Sequence, residues 1–212
     1  MRRRARGRFV VLEGLDGAGT TTQAGLLGER LRAAGRRVHV TAEPSGGPVG
    51  SLLRQVLTRR TVGRGGAGFD PHAVALLFAA DRLDHLAAEV LPRLAEGVDV
   101  VSDRFTLSSL AYQSVTTGDP AWVEAANARA VAPDLTVFLR ARPAVALRRR
   151  RAVSLDPELY EADAFQARVA RGYQRAIGRL RAAGQRVEIV DGERPVEDVA
   201  RDVWSLVSEI GP

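Results

Sequence analysis

Eight residues, Gly14-Leu15-Asp16-Gly17-Ala18-Gly19-Thr20-Thr21, follow a short apolar run and open a stretch with helical spacing. They match the phosphate-loop pattern G-x-x-x-x-G-K-[ST] in all but one position. Gly14 and Gly19 permit the tight curl that turns several backbone N–H groups inward. The helix start behind them adds partial positive charge, so phosphate binds there. Thr21 stands where the hydroxyl ligand of Mg2+ is expected. A plain glycine turn is the alternative, but strand, spacing, threonine and helix together argue against it.

Thr20 occupies the lysine position. A lysine there reaches the β and γ phosphates and offsets charge that develops during transfer. Threonine supplies a hydroxyl and no cation. All 31 basic residues of the chain are arginine, yet arginine is missing from this position too. Either another cation does the work, or nucleotide binds without being turned over. Arg148, Arg149, Arg150 and Arg151 offer the cation. On a helix four successive residues span a full turn, so at most two face one ligand and the others meet solvent. Arginine in a lid, approximately residues 148–163, can close on transferring phosphates.

A second constellation suits an acceptor. Phe78 and Arg82 are four apart and share a helix face; a ring stacks on a nucleobase and an arginine donates to its carbonyl. Alone, the pair would read as core packing beside a surface charge. Asp103-Arg104-Phe105, Ser108-Ser109 and Tyr112-Gln113 run from a strand end into a helix. They combine a carboxylate for Mg2+ or its waters, a phosphate-binding arginine, and hydroxyl or amide groups that read a base.

The elements that must position these groups are visible as five apolar runs: Arg8–Leu12, Arg37–Thr41, Val98–Ser102, Leu135–Leu139 and Arg186–Val190. Their near-continuous hydrophobicity predicts strands covered on both faces. Helical spacing marks Thr22–Ala34, Ala73–Ala95, Phe165–Ala183 and Val196–Ile210 between and after them. The alternation predicts a doubly wound α/β fold with a five-stranded parallel sheet flanked by helices and a short lid. The polar clusters Glu13–Thr22, Glu43–Gly47 and Asp103–Arg104 each follow a strand. Ligands of such sheets bind beyond the strands' carboxyl ends, so the clusters converge on one cleft. Gly63–Gly68 reads as a loop.

Length bounds the rest. At 212 residues and 22.8 kDa the chain fits one domain, residues 1–212, with an ordinary globular balance of 45% hydrophobic and 26% charged residues. With no cysteine, no disulfide framework forms and a reducing cytoplasm is expected. The apolar run Phe9–Leu12 is too short for a signal peptide or a membrane span. A net charge of +6 invites nucleic acid, but the arginines are scattered and no aromatics interleave with them. His39, His72 and His85 share no ligand spacing and read as structural or surface residues; Trp122 and Trp204 read as packing.

The segments F-V-V-L-E-G-L-D-G-A-G-T-T-T-Q, A-E-P-S-G-G-P-V-G, L-L-F-A-A-D-R, D-R-F-T-L-S-S-L-A-Y-Q and A-P-D-L-T-V-F-L resemble the thymidylate kinase family, and the likeness runs through essentially the whole chain. The resemblance implies transfer of the ATP γ-phosphoryl group to dTMP, with Mg2+, in a homodimer that binds neither nucleic acid nor membrane. It implies that Phe78 stacks on thymine, Arg82 bonds its carbonyl, and Ser109 and Gln113 stand near the base. Tyr112 would crowd the sugar 2′ position. Asp16 would approach the 3′-hydroxyl, and Arg54 and Arg104 would hold the acceptor phosphate. Asp103 and Thr21 would organise Mg2+, Glu43 and Pro44 would shape the pocket, and Asp191-Gly192 would lie by the adenine or form a plain turn. Gly17, where some members carry a loop arginine, places this chain with the lid-arginine kind. Two departures stand out. Asp156-Pro157-Glu158 replaces the lid's Asp-Arg, leaving Glu161 as an acidic partner. Leu139-Arg140-Ala141 replaces Leu-Asp-Val, with Arg140 and Arg142 read as facing solvent. The alternatives are a weakened, nucleotide-binding regulatory protein and a kinase for another nucleoside monophosphate.

Overall fold

A computed structural model describes residues 6–152 and 163–210. Five parallel strands form one sheet in the order β2-β3-β1-β4-β5. They are β1 (Phe9–Gly14), β2 (Val38–Ala42), β3 (Asp99–Asp103), β4 (Leu135–Arg140) and β5 (Val187–Asp191). Four of the five begin one residue later than the apolar runs predict. At three of these positions, Arg8, Arg37 and Arg186, the carbonyl still accepts from the neighbouring strand while the guanidinium finds its own partners. Arg8 is the clearest case: Asp99 takes both its backbone N–H and its guanidinium.

β1 is the centre of the sheet and is buried throughout. Its side chains alternate: Val10 and Leu12 enter one core cluster, Phe9 and Val11 the other. Two-sided burial is why the strand is continuously apolar rather than alternating. The helices are α1 (Thr20–Ala33), α2 (Pro48–Leu57), α3 (Pro71–His85), α4 (Leu91–Ala95), α5 (Thr106–Thr117), α6 (Pro120–Ala126), α7 (Pro143–Arg151), α8 (Asp163–Ala182) and α9 (Val196–Ser208). The expected Gly63–Gly68 loop contains a short 3-10 turn, Arg64–Gly66. Gly172 brings α8 against α5: a Cβ there would lie 2.9 Å from the Ala111 carbonyl oxygen.

Between α3 and α4 the predicted single helix Ala73–Ala95 contains one turn of π-helix, Leu86–Val90, with the Leu91 N–H bonding the Leu86 carbonyl. The extra residue changes which side chains face inward. Upstream, Phe78 and Arg82 point toward a cavity; downstream, Leu86, Val90 and Leu94 pack under Phe9, Val11 and Val100.

Asp99, at the start of β3, ties the lower rim together. Arg8 and Arg36 both bind its buried carboxylate, and Arg8 also donates to the carbonyls of Val207 and Ile210 beyond β1. Burial would raise the Asp99 pKa, but hydrogen bonds from Arg36 and Arg8 outweigh it and hold the group at about 2. Because the folded pKa lies below the unfolded one, this stabilisation is complete above about pH 4 and is lost as pH falls toward 2. Asp99→Asn is expected to cost about 2 kcal/mol at pH 7 and to flatten the loss of stability between pH 4 and 2, read by urea unfolding at a series of pH values.

Candidate active site

The loop between β1 and α1 curls through left-handed backbone at Gly17 (φ 88) and Gly19 (φ 98). Side chains resist that region and glycine does not, which is why these two positions need glycine. Gly19 is the residue before α1, so the helix N-terminus faces the space over the loop. That space is a cavity of about 510 Å³ walled by residues 16–23 and by Arg104, Arg149, Arg150, Gly192 and Arg194. Arg149 crosses its edge to donate to the carbonyls of Gly192 (2.6 Å) and Glu193 (3.2 Å). Gly14 and Leu15, expected to hold the donor, do not line it. The Leu15 side chain is buried in the core, and a Cβ on Gly14 would sit 2.8 Å from that of Ala18. Their contribution is the shape of the turn, in which the Ala18 N–H bonds the Leu15 carbonyl.

A second cavity of about 350 Å³ opens beside the first. It is lined by Glu43, Arg54, Phe78, Arg82, Ser109, Tyr112 and Gln113, each of which was expected to face an acceptor, together with Pro44, Asp16 and Arg104. The Glu43–Pro44 peptide is cis. Arg54 is held by the carbonyls of Pro44 (3.0 Å) and Ser45 (2.6 Å). Arg82 is almost wholly buried, at 1% exposure, which a guanidinium tolerates only when paired. Its partners are the Glu43 carboxylate at 2.7 Å, the Ser109 hydroxyl at 3.1 Å and the Asn127 side chain. Its Nε has no hydrogen-bond partner among the described residues. Next to it, Asp81 does a different job: it accepts from the Ser45 N–H (2.8 Å) and hydroxyl (2.5 Å), fixing the loop that carries Glu43.

Three residues line both cavities: Asp16, Arg104 and Arg150. Arg104 donates to Asp16 at 2.6 Å, Arg150 lies 3.7 Å from the same oxygen, and the Tyr112 hydroxyl donates to the other at 3.0 Å. Arg104 is a non-glycine residue at φ 72, a conformation that costs energy and persists only when the surroundings enforce it. The enforcement is visible behind it. The buried Glu13 carboxylate accepts from the Phe105 and Ser108 N–H groups and the Ser108 hydroxyl, and from the Tyr173 hydroxyl on α8. The same two hydroxyls, of Ser108 and Tyr173, accept from Arg104 at 3.0 and 3.2 Å. Glu13 thus caps α5, whose own first residue supplies no side-chain cap. Burial pushes the Glu13 carboxyl up to about 7, against the lowering pull of Arg104 and Ser108. Burial and the Asp16 charge raise Tyr112; burial lowers Arg104, but the charges of Asp16, Tyr173, Tyr112 and Asp103 together outweigh it and raise the group. Glu13 and Tyr173 were not singled out from sequence. A glutamate directly behind the first apolar run was the available signal for the first, and Tyr173 had none.

Thr21 donates its hydroxyl to one oxygen of Asp103, and the other oxygen, Oδ1, is buried without a hydrogen-bond partner among the described residues. Thr21 lines the cavity over the loop, and a hydroxyl beside an under-used carboxylate fits a small divalent cation. Among the described residues no group of three His, Cys, Asp or Glu could hold a metal by itself. Mg2+ fits that pattern, since it keeps waters and takes few protein ligands beside phosphate oxygens.

Of the arginine run, Arg149 and Arg150 face the cavity over the loop, while Arg148 and Arg151 are exposed and line neither cavity. Arg140 is exposed at the end of β4, and Arg142 pairs with Glu193 at 2.7 Å. Asp156-Pro157-Glu158 and Glu161 lie outside the described residues. Among the described residues no helix is long and apolar enough to cross a membrane.

The thymidylate kinase family model matches residues 12–203. A probable thymidylate kinase of Pyrobaculum aerophilum is 38% identical over 202 residues, covering 95% of this chain and 97% of that protein. A thymidylate kinase of Thiobacillus denitrificans is 39% identical over 209 residues, 96% and 98% of the two chains. One from Burkholderia thailandensis is 38% identical over 220 aligned positions, 97% and 100%.

Proposed function

Because this chain belongs to the thymidylate kinase family, we propose that it phosphorylates dTMP to dTDP with ATP as donor, at the wall its two cavities share. The observation that carries this reading is the trio Asp16, Arg104 and Arg150, which reaches into both cavities. An acceptor phosphate and a donor triphosphate placed on either side meet there, and little covalent chemistry is asked of the protein. Alignment and charge neutralisation do the work.

The base enters the smaller cavity, with Phe78 against its face and Arg82, Ser109 and Gln113 at its polar edge. Tyr112, anchored to Asp16, stands where a ribose 2′-hydroxyl would go. Arg54 and Arg104 hold the acceptor phosphate. On the donor side the loop N–H groups cradle the β and γ phosphates. Arg150 replaces the loop lysine, because its guanidinium lies at the shared wall while Thr20 carries no charge. Arg149 closes the cavity over Gly192. Thr21 and Asp103 would hold Mg2+, which supplies charge neutralisation on the phosphate oxygens. Of the expected lid, residues 153–162 lie outside the described residues; excluding water from the shared wall protects the transferring group from hydrolysis.

ADP release with ATP, Mg2+ and each of dTMP, dUMP, dCMP and UMP tests the reading. Release that depends on dTMP above the others is expected. Release that ignores the nucleotide, or none without Thr20→Lys, sinks it; the second outcome would favour the regulatory protein.

A homodimer packed through α3 is part of this reading. Its exposed stripe Ala73, Leu76, Ala80 and Leu83 has the spacing of a helix seam, with Leu76 52% and Leu83 41% exposed and Leu52 of α2 alongside. The Leu76→Glu/Leu83→Glu pair is expected to give a monomer by light scattering after gel filtration. Since Phe78 and Arg82 ride on the same helix, KM for dTMP should rise with it.

A further inference from the structure

His85 sits one turn beyond Arg82 on α3, and its side chain has no solvent exposure. It lines neither cavity. Its Nδ1 is 3.2 Å from Oε1 of Glu43, and its Nε2 is 2.9 Å from the hydroxyl of Thr41 in β2. The other Glu43 oxygen faces Arg82 at 2.7 Å. A carboxylate only accepts, so the proton that bridges to Glu43 is on Nδ1, while Nε2 faces the Thr41 hydroxyl. The imidazole therefore spans from β2 to the loop carrying Glu43 while rooted in α3. We infer that His85 is a positioning residue for base recognition: by holding Glu43 it holds the Arg82 guanidinium at the polar edge of the acceptor base. This rests on the dTMP-kinase reading of the smaller cavity.

The competing account is a satisfied core histidine that serves stability alone. The two differ in what Arg82 does when the tether is cut. Ser109 and Asn127 still hold Arg82, but its charged partner is free to turn. Glu43 itself lines the cavity, so both donors and acceptors at the base edge lose definition. Thymine presents a carbonyl at its 4-position where cytosine presents an amine, and a fixed guanidinium favours the carbonyl. A loosened one discriminates less. Losing a buried charge-assisted hydrogen bond of this kind usually changes an equilibrium tenfold or more.

The test uses steady-state kinetics at saturating ATP with dTMP or dCMP varied, for the wild type and for His85→Phe, His85→Asn and His85→Gln. The asparagine amide reaches the place of Nδ1 and can donate to Glu43; the glutamine amide reaches the Thr41 side. His85→Phe and His85→Gln are expected to raise KM for dTMP at least tenfold and to lower the preference for dTMP over dCMP about tenfold. KM for ATP and kcat should stay within about threefold, and His85→Asn should recover most of both losses. If His85→Phe fails to fold, the asparagine–glutamine contrast decides alone. The inference is overturned if the variants lose thermal stability while KM and the dTMP preference hold, or if asparagine is no better than glutamine. A wild type that does not turn over dTMP defeats the parent reading and this inference with it; a wild type that does, beside unchanged variants, defeats this inference only.

Discussion

Arg150→Ala is expected to lower kcat by about 10²- to 10³-fold, the usual consequence of removing one well-placed donor from a developing charge. Arg148→Ala, two positions away on the exposed side of α7, should stay within about threefold. The contrast is geometric. Arg150 reaches the shared wall, 3.7 Å from Asp16, whereas Arg148 lines neither cavity. The phosphate loop sharpens the expectation, because its lysine position holds the buried, neutral Thr20 and the chain has no lysine to offer. A double-mutant cycle separates substitution from coincidence. If Arg150 does the lysine's work, Arg150→Ala should cost markedly less in a Thr20→Lys background. Equal losses in both backgrounds, or equal losses for Arg148 and Arg150, would remove Arg150 from the mechanism. ADP release at saturating ATP and dTMP is the measurement.

Gly17→Ala should do nearly as much damage by another route. Gly17 has φ 88, and a Cβ there would stand 2.1 Å from the Ala146 carbonyl oxygen and 3.2 Å from the Arg150 nitrogen. The backbone penalty for a left-handed alanine is on the order of 1 kcal/mol. The clash adds to it, since a backbone carbonyl cannot swing aside as a side-chain tip can. Relief requires α7 to retreat, carrying Arg149 and Arg150 away from the donor cavity. A loss of about 2–3 kcal/mol in stability, with a fall of at least tenfold in kcat/KM for ATP, is expected. Gly25→Ala is the control. It lies within α1 with nothing near its added methyl, and should stabilise the protein by about 0.5–1 kcal/mol. The same contact explains why this position could not host an arginine without moving α7.

The sheet was legible because its strands are buried on both faces, and two-sided burial writes itself as unbroken apolar runs. The ends were not, since Arg8, Arg37 and Arg186 lend only a carbonyl to the neighbouring strand, so each boundary falls inside the apolar run. The phosphate loop was legible from spacing, but not the division of labour within it. The motif alone treats Leu15 and Asp16 alike, although their polarity already separates the side chain that turns into the core from the one that turns into the cavity. What stayed hidden is what only folding assembles. Tyr173 meets Glu13 across 160 residues of chain. Asn127 reaches Arg82 from beyond α6, and Asp81 looks like half of a two-residue motif until Ser45 is seen against it. Contacts of that kind have no periodicity to betray them. The Arg148–Arg151 run shows the reverse, where the pitch of a helix by itself limits how many members can face one ligand.

The π-turn at Leu86–Val90 gives this region an arithmetic of insertions and deletions unlike that of an ordinary surface helix. A π-turn is one residue wedged into an α-helix, so the number of residues between Arg82 and Leu94 is as much a part of the fold as their identities. Removing that one residue would restore a regular helix with both flanks in register, because the wider turn is what absorbs it, whereas a further deletion or an insertion would rotate everything downstream by about 100°. Val90 and Leu94 would swing out from beneath Phe9 and Val100, or else Phe78 and Arg82 would swing off the cavity. Sequence drift can exchange residues here far more freely than it can change their count.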